Sequence, residues 1–139
     1  RFGQKTGKGV YLYENGSRTP KPDPEVAKLI EDKARELGIE RRTISDQEII
    51  ERTLYPMVNE AARILEEKIA ARASDIDIVW INGYGFPVYR GGPMFYGDTV
   101  GADKVLAKMK EFQAQMGDDF KPAKLLEKIV AEGKKFSDF

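Results

Sequence analysis

Cysteine and histidine are both absent from this chain. Without cysteine there is no disulfide framework, no thiolate nucleophile and no zinc–thiolate site, which suits a reducing compartment. Without histidine the commonest general base and metal ligand is missing. Chemistry here would have to rest on carboxylates, lysines, tyrosines or backbone amides, so histidine-based triads and zincin-type sites are excluded. An excess of charge is lacking too. Lys plus Arg number 23 and Asp plus Glu number 23, so no broad field favours a nucleic acid or an anionic membrane. No apolar run approaches the roughly 18 residues of a bilayer span. The amino end, Arg1-Phe2-Gly3-Gln4-Lys5, has none of the apolar stretch of a secretion signal. The expectation is an intracellular, cytoplasmic protein with no membrane span and no nucleic-acid partner.

What is present is enough for one compact domain: 139 residues with an apolar share of 41%. Residues 9–14 alternate as a short strand would, and Asn15-Gly16-Ser17 with Pro20, Pro22 and Pro24 makes residues 15–23 an extended linker. From there the pattern is helical. Asp23 as N-cap, Pro24 at the first position and Gly38 as a stop bracket a helix over 24–37, with Val26, Leu29, Ile30 and Leu37 on one face. Ser45 and Glu48 have capping-box spacing. The stripe Ile49, Ile50, Leu54, Met57, Val58, Ala61, Ala62 and Leu65 extends a long helix over 46–68, with a kink or short break near 52–55 imposed by Pro56. Ser74 and Asp77 repeat the cap spacing before a helix of about two turns ending at Gly83. A stripe of Val105, Leu106, Met109, Phe112 and Met116 ends at Gly117, and Pro122 opens a last helix ending at Gly133. The fold class is all-α with a short strand segment ahead of it.

Three features invite a functional reading. Gly3-Gln4-Lys5-Thr6-Gly7-Lys8-Gly9 echoes a phosphate loop, but its spacer is three residues, Gly9 stands where a hydroxyl is needed, and a strand follows where a helix should. A basic turn feeding a strand is the better reading, and a free-standing nucleotide-binding protein ranks last. Gly83-Tyr84-Gly85-Phe86-Pro87 lacks the third glycine of a dinucleotide turn and follows a helix. The segment 83–96 nevertheless carries five aromatics, four glycines and two prolines, the composition of a built loop. Its Gly83, Tyr84, Gly85, Phe86, Pro87, Arg90, Gly91, Gly92 and Pro93 are the candidate interface or substrate-side residues, with Phe86, Tyr89, Phe95 and Tyr96 as anchors. Arg90 could cap helix carbonyls, stack on a tyrosine or pair with a phosphate or carboxylate. Asn59 and Glu60 are the candidate buried polar residues of the long helix, whereas Glu66 and Glu67 read as a solvated face. Lys134-Lys135-Phe136 reads as a charged helix end.

Two stretches resemble the 3-hydroxyacyl-CoA dehydrogenases. Gly3-Gln4-Lys5-Thr6-Gly7-Lys8-Gly9-Val10-Tyr11 is similar to the segment that closes this family's helical domain. The second stretch runs from Ile49 to Met94, with Met57-Val58-Asn59-Glu60-Ala61-Ala62-Arg63, then Ala73-Ser74-Asp75-Ile76-Asp77, and Gly83-Tyr84-Gly85-Phe86-Pro87 before Gly91-Gly92-Pro93-Met94. A closing segment followed by another helical unit looks like the duplicated helical domain of the multifunctional fatty-acid β-oxidation enzymes. Residues 1–22 would be the tail of a first repeat plus linker and 23–139 a second repeat. The resemblance implies an NAD-dependent parent enzyme interconverting 3-hydroxyacyl-CoA and 3-ketoacyl-CoA, with enoyl-CoA hydratase activity alongside. The family's His–Glu pair lies on its NAD-binding domain, and Glu51 stands where the first repeat carries an asparagine, five residues before the proline matching Pro56. The second repeat therefore reads as a structural copy with no catalytic, cofactor or metal site of its own. Its implied partners are the upstream NAD-binding and first helical domains, a second copy of itself as a homodimer, or, in the alternative reading of a docking module, a thiolase subunit.

Overall fold

The computed structural model describes residues 1–14 and 16–139, so the Asn15 of the expected linker lies outside the described residues. These residues form two compact units, Arg1–Thr43 and Ile44–Phe139.

In the first unit, Gly3 donates to the Lys8 carbonyl at 3.0 Å across a single helical turn, Gln4–Thr6. Gly9 is obligatory there, because a Cβ would stand 2.7 Å from the Gly3 Cα. Strand β1 covers only Tyr11–Leu12, and the expected linker supplies its antiparallel partner, β2 at Lys21–Pro22, with Tyr11 opposite Pro22. Proline on an edge strand needs no ladder donor, so the proline-rich segment is free to pair. Helix α1 spans Pro24–Glu36, and the Asp23 carboxylate accepts from the Glu25 amide at 3.0 Å while pairing with Arg1. It ends where Gly38 turns left-handed at φ +64° and Ile39 donates back to the Ala34 carbonyl. None of its side chains is buried, and Leu29, Ile30 and Leu37 are exposed.

The second unit is built around α2, Asp46–Glu66, which packs against α4 (Pro93–Val100), α5 (Ala102–Met116) and α6 (Lys124–Glu132); α3 (Ala73–Gly83) packs on α4. Ser45 caps α2 as expected, accepting from the Glu48 amide at 3.2 Å. The helix runs unbroken through Pro56, with no interruption near 52–55. Val58, Ala61 and Ala62 are buried, but Ile49 and Ile50 are exposed and Tyr55 and Asn59 take inward positions. The core stripe thus begins a turn later than the apolar pattern suggests. Small residues at 61 and 62 let the neighbouring helices approach closely, while Val105, Met109, Phe112, Leu126 and Ile129 fill the space between them.

Three further departures stand out. Helix α3 has three turns, and begins at Ala73 after Arg72, not at a Ser74 cap. Helix α4 follows the glycine-rich loop directly, a helix whose eight residues are too short a run for periodicity to reveal it. The expected charged end at Lys134–Phe136 is a short helical turn, Phe136–Asp138, that plants Phe136 fully in the core. The chain end is tied in as well, for Ala73 donates to the Phe139 carbonyl at 3.1 Å.

Candidate functional site

The loop between α3 and α4 is positioned by a cap supplied from a distance. Helix α4 opens with Gly92-Pro93, which provides no side-chain acceptor for its first amides. The Asp77 carboxylate, projecting from α3, does so instead, accepting from Met94 N at 2.7 Å and Phe95 N at 3.1 Å. Its negative charge also sits at the positive end of α4. Burial pushes the Asp77 carboxyl above the ordinary range; the two amide donors oppose that shift and the nearby Asp98 adds to it.

The same device recurs elsewhere in the second unit. Asp98 accepts from Phe136 N at 2.7 Å and Ser137 N at 3.0 Å. Asn59, only 2% exposed, donates to the Lys121 carbonyl at 3.0 Å and accepts from Ala123 N at 2.8 Å. Glu66 accepts from Leu125 N at 3.0 Å. Asn59 is thus a clamp between α2 and the start of α6. Glu60 is not buried: its side chain is 61% exposed and pairs with Arg63 at 3.0 Å, because Asn59 holds the inward direction and the next residue turns about 100° away. Glu66 is exposed, as its solvated reading has it, and is at the same time the second cap of α6. Asn59 is buried as expected, but its capping role and those of Glu66, Asp77 and Asp98 were missed for one reason, that each serves an amide far away in sequence. A signal was available, since the N-cap positions of α4 and α6 are Gly92 and Ala123, neither of which has a side-chain acceptor.

Of the loop residues, Gly83 ends α3 and Tyr84 is exposed against Trp80 with ring centroids 4.9 Å apart. Phe86 is the buried anchor: its amide donates to the Trp80 carbonyl at 3.1 Å and its ring meets Trp80 and Tyr96 edge-on. Pro87 leads into a helical turn, Val88–Arg90. Tyr89, 82% exposed on the turn, and Phe95, on the outer side of α4, do not anchor the loop; both rings face outward. Arg90 stacks on Tyr89 with its guanidinium carbon 5.4 Å from the ring centroid. Gly91 and Gly92 are both left-handed, at φ +73° and +92°, and Pro93 is the first residue of α4. The decisive glycine is Gly92, where a Cβ would meet the Asp77 Cα at 2.6 Å. Gly85, at φ +71°, has open space around it.

Two surfaces flank this loop. On one side an apolar groove of about 620 Å³ is lined by Ile64, Ile69, Ala70, Val79, Trp80 and Tyr84. On the other, α2, α4 and α5 enclose a cleft of about 540 Å³ that includes Glu51, Tyr55, Arg90, Tyr96, Lys104 and Lys108. Glu51 accepts from the Gln47 amide at 2.8 Å and pairs with Lys108 at 3.3 Å. Among the described residues there is no cluster of acidic side chains that could hold a metal ion, and no helix long and apolar enough to cross a membrane.

Comparison with known proteins gives this geometry its setting. Residues 49–137 match the family described as 3-hydroxyacyl-CoA dehydrogenase, C-terminal domain. The chain is 47% identical over 136 residues to the peroxisomal bifunctional enzyme of Danio rerio, covering 96% of this chain and 19% of that protein. It is 42% identical over 143 residues to a peroxisomal fatty acid beta-oxidation multifunctional protein of Arabidopsis thaliana, covering 99% and 20%. Among solved structures it resembles the dehydrogenase part of multifunctional enzyme 1 from C. elegans, with a TM-score of 0.64 and 34% identity over 92% of this chain and 30% of that one. The chain therefore spans about one fifth of the length of the curated relatives it matches. With a match over 49–137 and the same helical architecture, the chain belongs to the 3-hydroxyacyl-CoA dehydrogenase C-terminal domain family.

Proposed function

We propose that this chain is the non-catalytic scaffold of an NAD-dependent 3-hydroxyacyl-CoA dehydrogenase of fatty-acid β-oxidation, and that it serves by docking against the enzyme's other domains. The observation that carries the reading is how the second unit spends its polar and apolar groups. Asn59, Glu66, Asp77 and Asp98 hold helix starts together. Meanwhile Ile69, Ile78, Val79 and Tyr84 are exposed along α3 and its ends, beside the apolar groove. Apolar surface gathered on one side of a small helical unit is the mark of an interface. With no histidine, the chain also has no proton acceptor of the family's His–Glu type.

In this proposal residues 1–22 close a preceding helical repeat and 23–139 form a second one. NAD and the acyl-CoA are held by upstream domains, and enoyl-CoA hydratase activity accompanies the dehydrogenase, a second activity that accords with the word bifunctional in the name of the Danio rerio relative. The residues of the 83–93 loop act as interface and spacing elements. The peroxisomal and glyoxysomal relatives favour such an organelle over the cytoplasm as the site of action. In the alternative, docking reading, the same apolar face would receive a thiolase subunit or a second copy of this chain.

The test compares the longer enzyme with and without residues 23–139. Loss of assembly and of NADH formation from a 3-hydroxyacyl-CoA is expected on deletion, while the chain alone gives no NADH. Steady turnover by the chain alone, or a deleted enzyme that assembles and turns over normally, would overturn the proposal.

A further inference from the structure

We propose that the cleft between α2, α4 and α5 binds a small molecule through a phosphate group, held by Arg90, Lys104, Lys108 and the hydroxyl of Tyr55. This site lies apart from the apolar groove and uses none of the helix-capping side chains.

The elements converge for simple reasons of period. Gln47, Glu51 and Tyr55 are spaced four apart on α2, Tyr96 and Val100 on α4, and Lys104 and Lys108 on α5, so each helix turns one stripe to the cleft. Three cations line it against one carboxylate, Glu51. That carboxylate is already engaged, by the Gln47 amide at 2.8 Å and by Lys108 at 3.3 Å. Lys108 also pairs with Glu111 at 3.0 Å. Arg90 and Lys104 have no carboxylate partner among the described residues, and the Arg90 guanidinium is presented on the Tyr89 ring. The cleft thus offers uncompensated positive charge in a concave setting, where field lines concentrate.

Tyr55 supplies the independent observation. It is 4% exposed and lines the cleft. Among the described residues no fully buried polar side-chain atom lacks a partner, yet no hydrogen bond uses the Tyr55 hydroxyl. That hydroxyl is therefore open to the cleft and free to donate. Burial, with Glu51 beside it, pushes the Tyr55 phenol up, and burial does the same for Tyr96, so both remain protonated donors at neutral pH.

Donors arriving from α2, from α5 and from the Val88–Arg90 turn suit a tetrahedral oxyanion, which accepts from several directions at once. A planar arginine fork and two lysine point charges complete a phosphate-binding set. The Val100 and Ala107 side chains leave an apolar wall for the organic body of the ligand.

Inorganic phosphate and pyrophosphate, titrated into the 139-residue chain and followed by amide NMR at constant ionic strength, test the assignment. Saturable shifts in the millimolar range are expected at Arg90, Tyr96 and Lys104, with pyrophosphate the tighter of the two. An Arg90→Gln/Lys104→Gln double variant, both positions being exposed, is expected to weaken binding at least tenfold with an unchanged spectrum elsewhere. Tyr55→Phe keeps the ring in the core and is expected to weaken it about threefold. Shifts that fail to saturate, that a chloride titration reproduces, or that survive in the double variant would overturn the site.

Discussion

Asp77 and Gly92 stand in a contact that only glycine permits: a Cβ at position 92 would lie 2.4 Å from the Asp77 Oδ1 and 2.6 Å from its Cα. The approach of the α3 backbone to the turn before α4 is what lets one carboxylate reach two amides of the next helix. The stability of the loop hangs on this pair more than on its aromatic content.

Gly92→Ala is therefore expected to be the most damaging of the loop glycine substitutions. The left-handed φ alone costs about 1–2 kcal/mol, and the collision with the Asp77 backbone adds about 1–3 kcal/mol of overpacking strain. Gly85→Ala meets open space and should show only the conformational cost. At Gly91 the obstacle is the Phe95 ring, whose exposed side chain can turn aside. Thermal denaturation of the three variants should rank Gly92→Ala lowest, and a Gly92→Ala protein as stable as Gly85→Ala would contradict the contact.

Removing the cap itself has a graded outcome. Asp77→Ala leaves two amides at the start of α4 without an acceptor and is expected to cost about 1–2 kcal/mol, as for other N-caps. Asp77→Asn retains one acceptor oxygen and should lose less. Urea denaturation measures both, and equal losses would mean that the carboxylate acts through charge alone.

The Asp77 carboxyl is also expected to titrate late. Its native range lies above that of the unfolded chain, because burial outweighs the amide donors, so the native state holds the proton more firmly than the unfolded state does. Its contribution to stability is thus greatest below the unfolded carboxylate range and is lost as pH rises through the raised native one. Asp75 behaves oppositely, being drawn down first by its hydrogen bond to Arg72. Side-chain carboxyl NMR should show Asp75 titrating at lower pH than Asp77, and the reverse order would refute the assignment.

Asn59→Ala should uncouple α6 from α2. The Ala123 amide loses its buried acceptor while the Lys121 carbonyl keeps the Arg63 guanidinium as a donor, so the expected cost is about 1–3 kcal/mol from one unsatisfied group. Hydrogen exchange is the sharper readout, with protection lost first over Leu125–Ile129. Uniform loss across all helices would show that Asn59 is not specific to that junction.

The exposed apolar face predicts concentration-dependent behaviour. Sedimentation equilibrium is expected to show self-association of the chain, reduced by Val79→Lys with Tyr84→Lys at unchanged helix content. A strictly monomeric chain that binds no hydrophobic dye would leave the face without a role.

How much of this was legible in the residues varies with distance along the chain. Asp23, Ser45, Gly38, Gly117 and Gly133 mark helix ends by acting on amides and carbonyls within four or five positions, and those ends fall close to where they were expected. The resemblance to the dehydrogenase family was equally visible, carried by local runs such as Met57–Arg63 and Gly91–Met94. The caps supplied from a distance were not, because the partners of Asn59, Glu66, Asp77 and Asp98 lie from 17 to 64 residues away. Glu60 shows the same limit from the other side. Its neighbours suggested burial, and one step of helical rotation put it in water.

By itself, then, the sequence determined what short-range chemistry can decide: an all-helical class, the positions of most helix ends, the absence of thiol and imidazole chemistry, and the family. Only the tertiary structure decided which aspartate caps which helix, which glycine admits no substitute, and which apolar residues are left facing outward. The reason is physical. Helix signals act through hydrogen bonds within one turn of backbone, whereas caps in trans, close backbone approach and the choice of buried face exist only after α2, α3 and α6 have been brought against their neighbours.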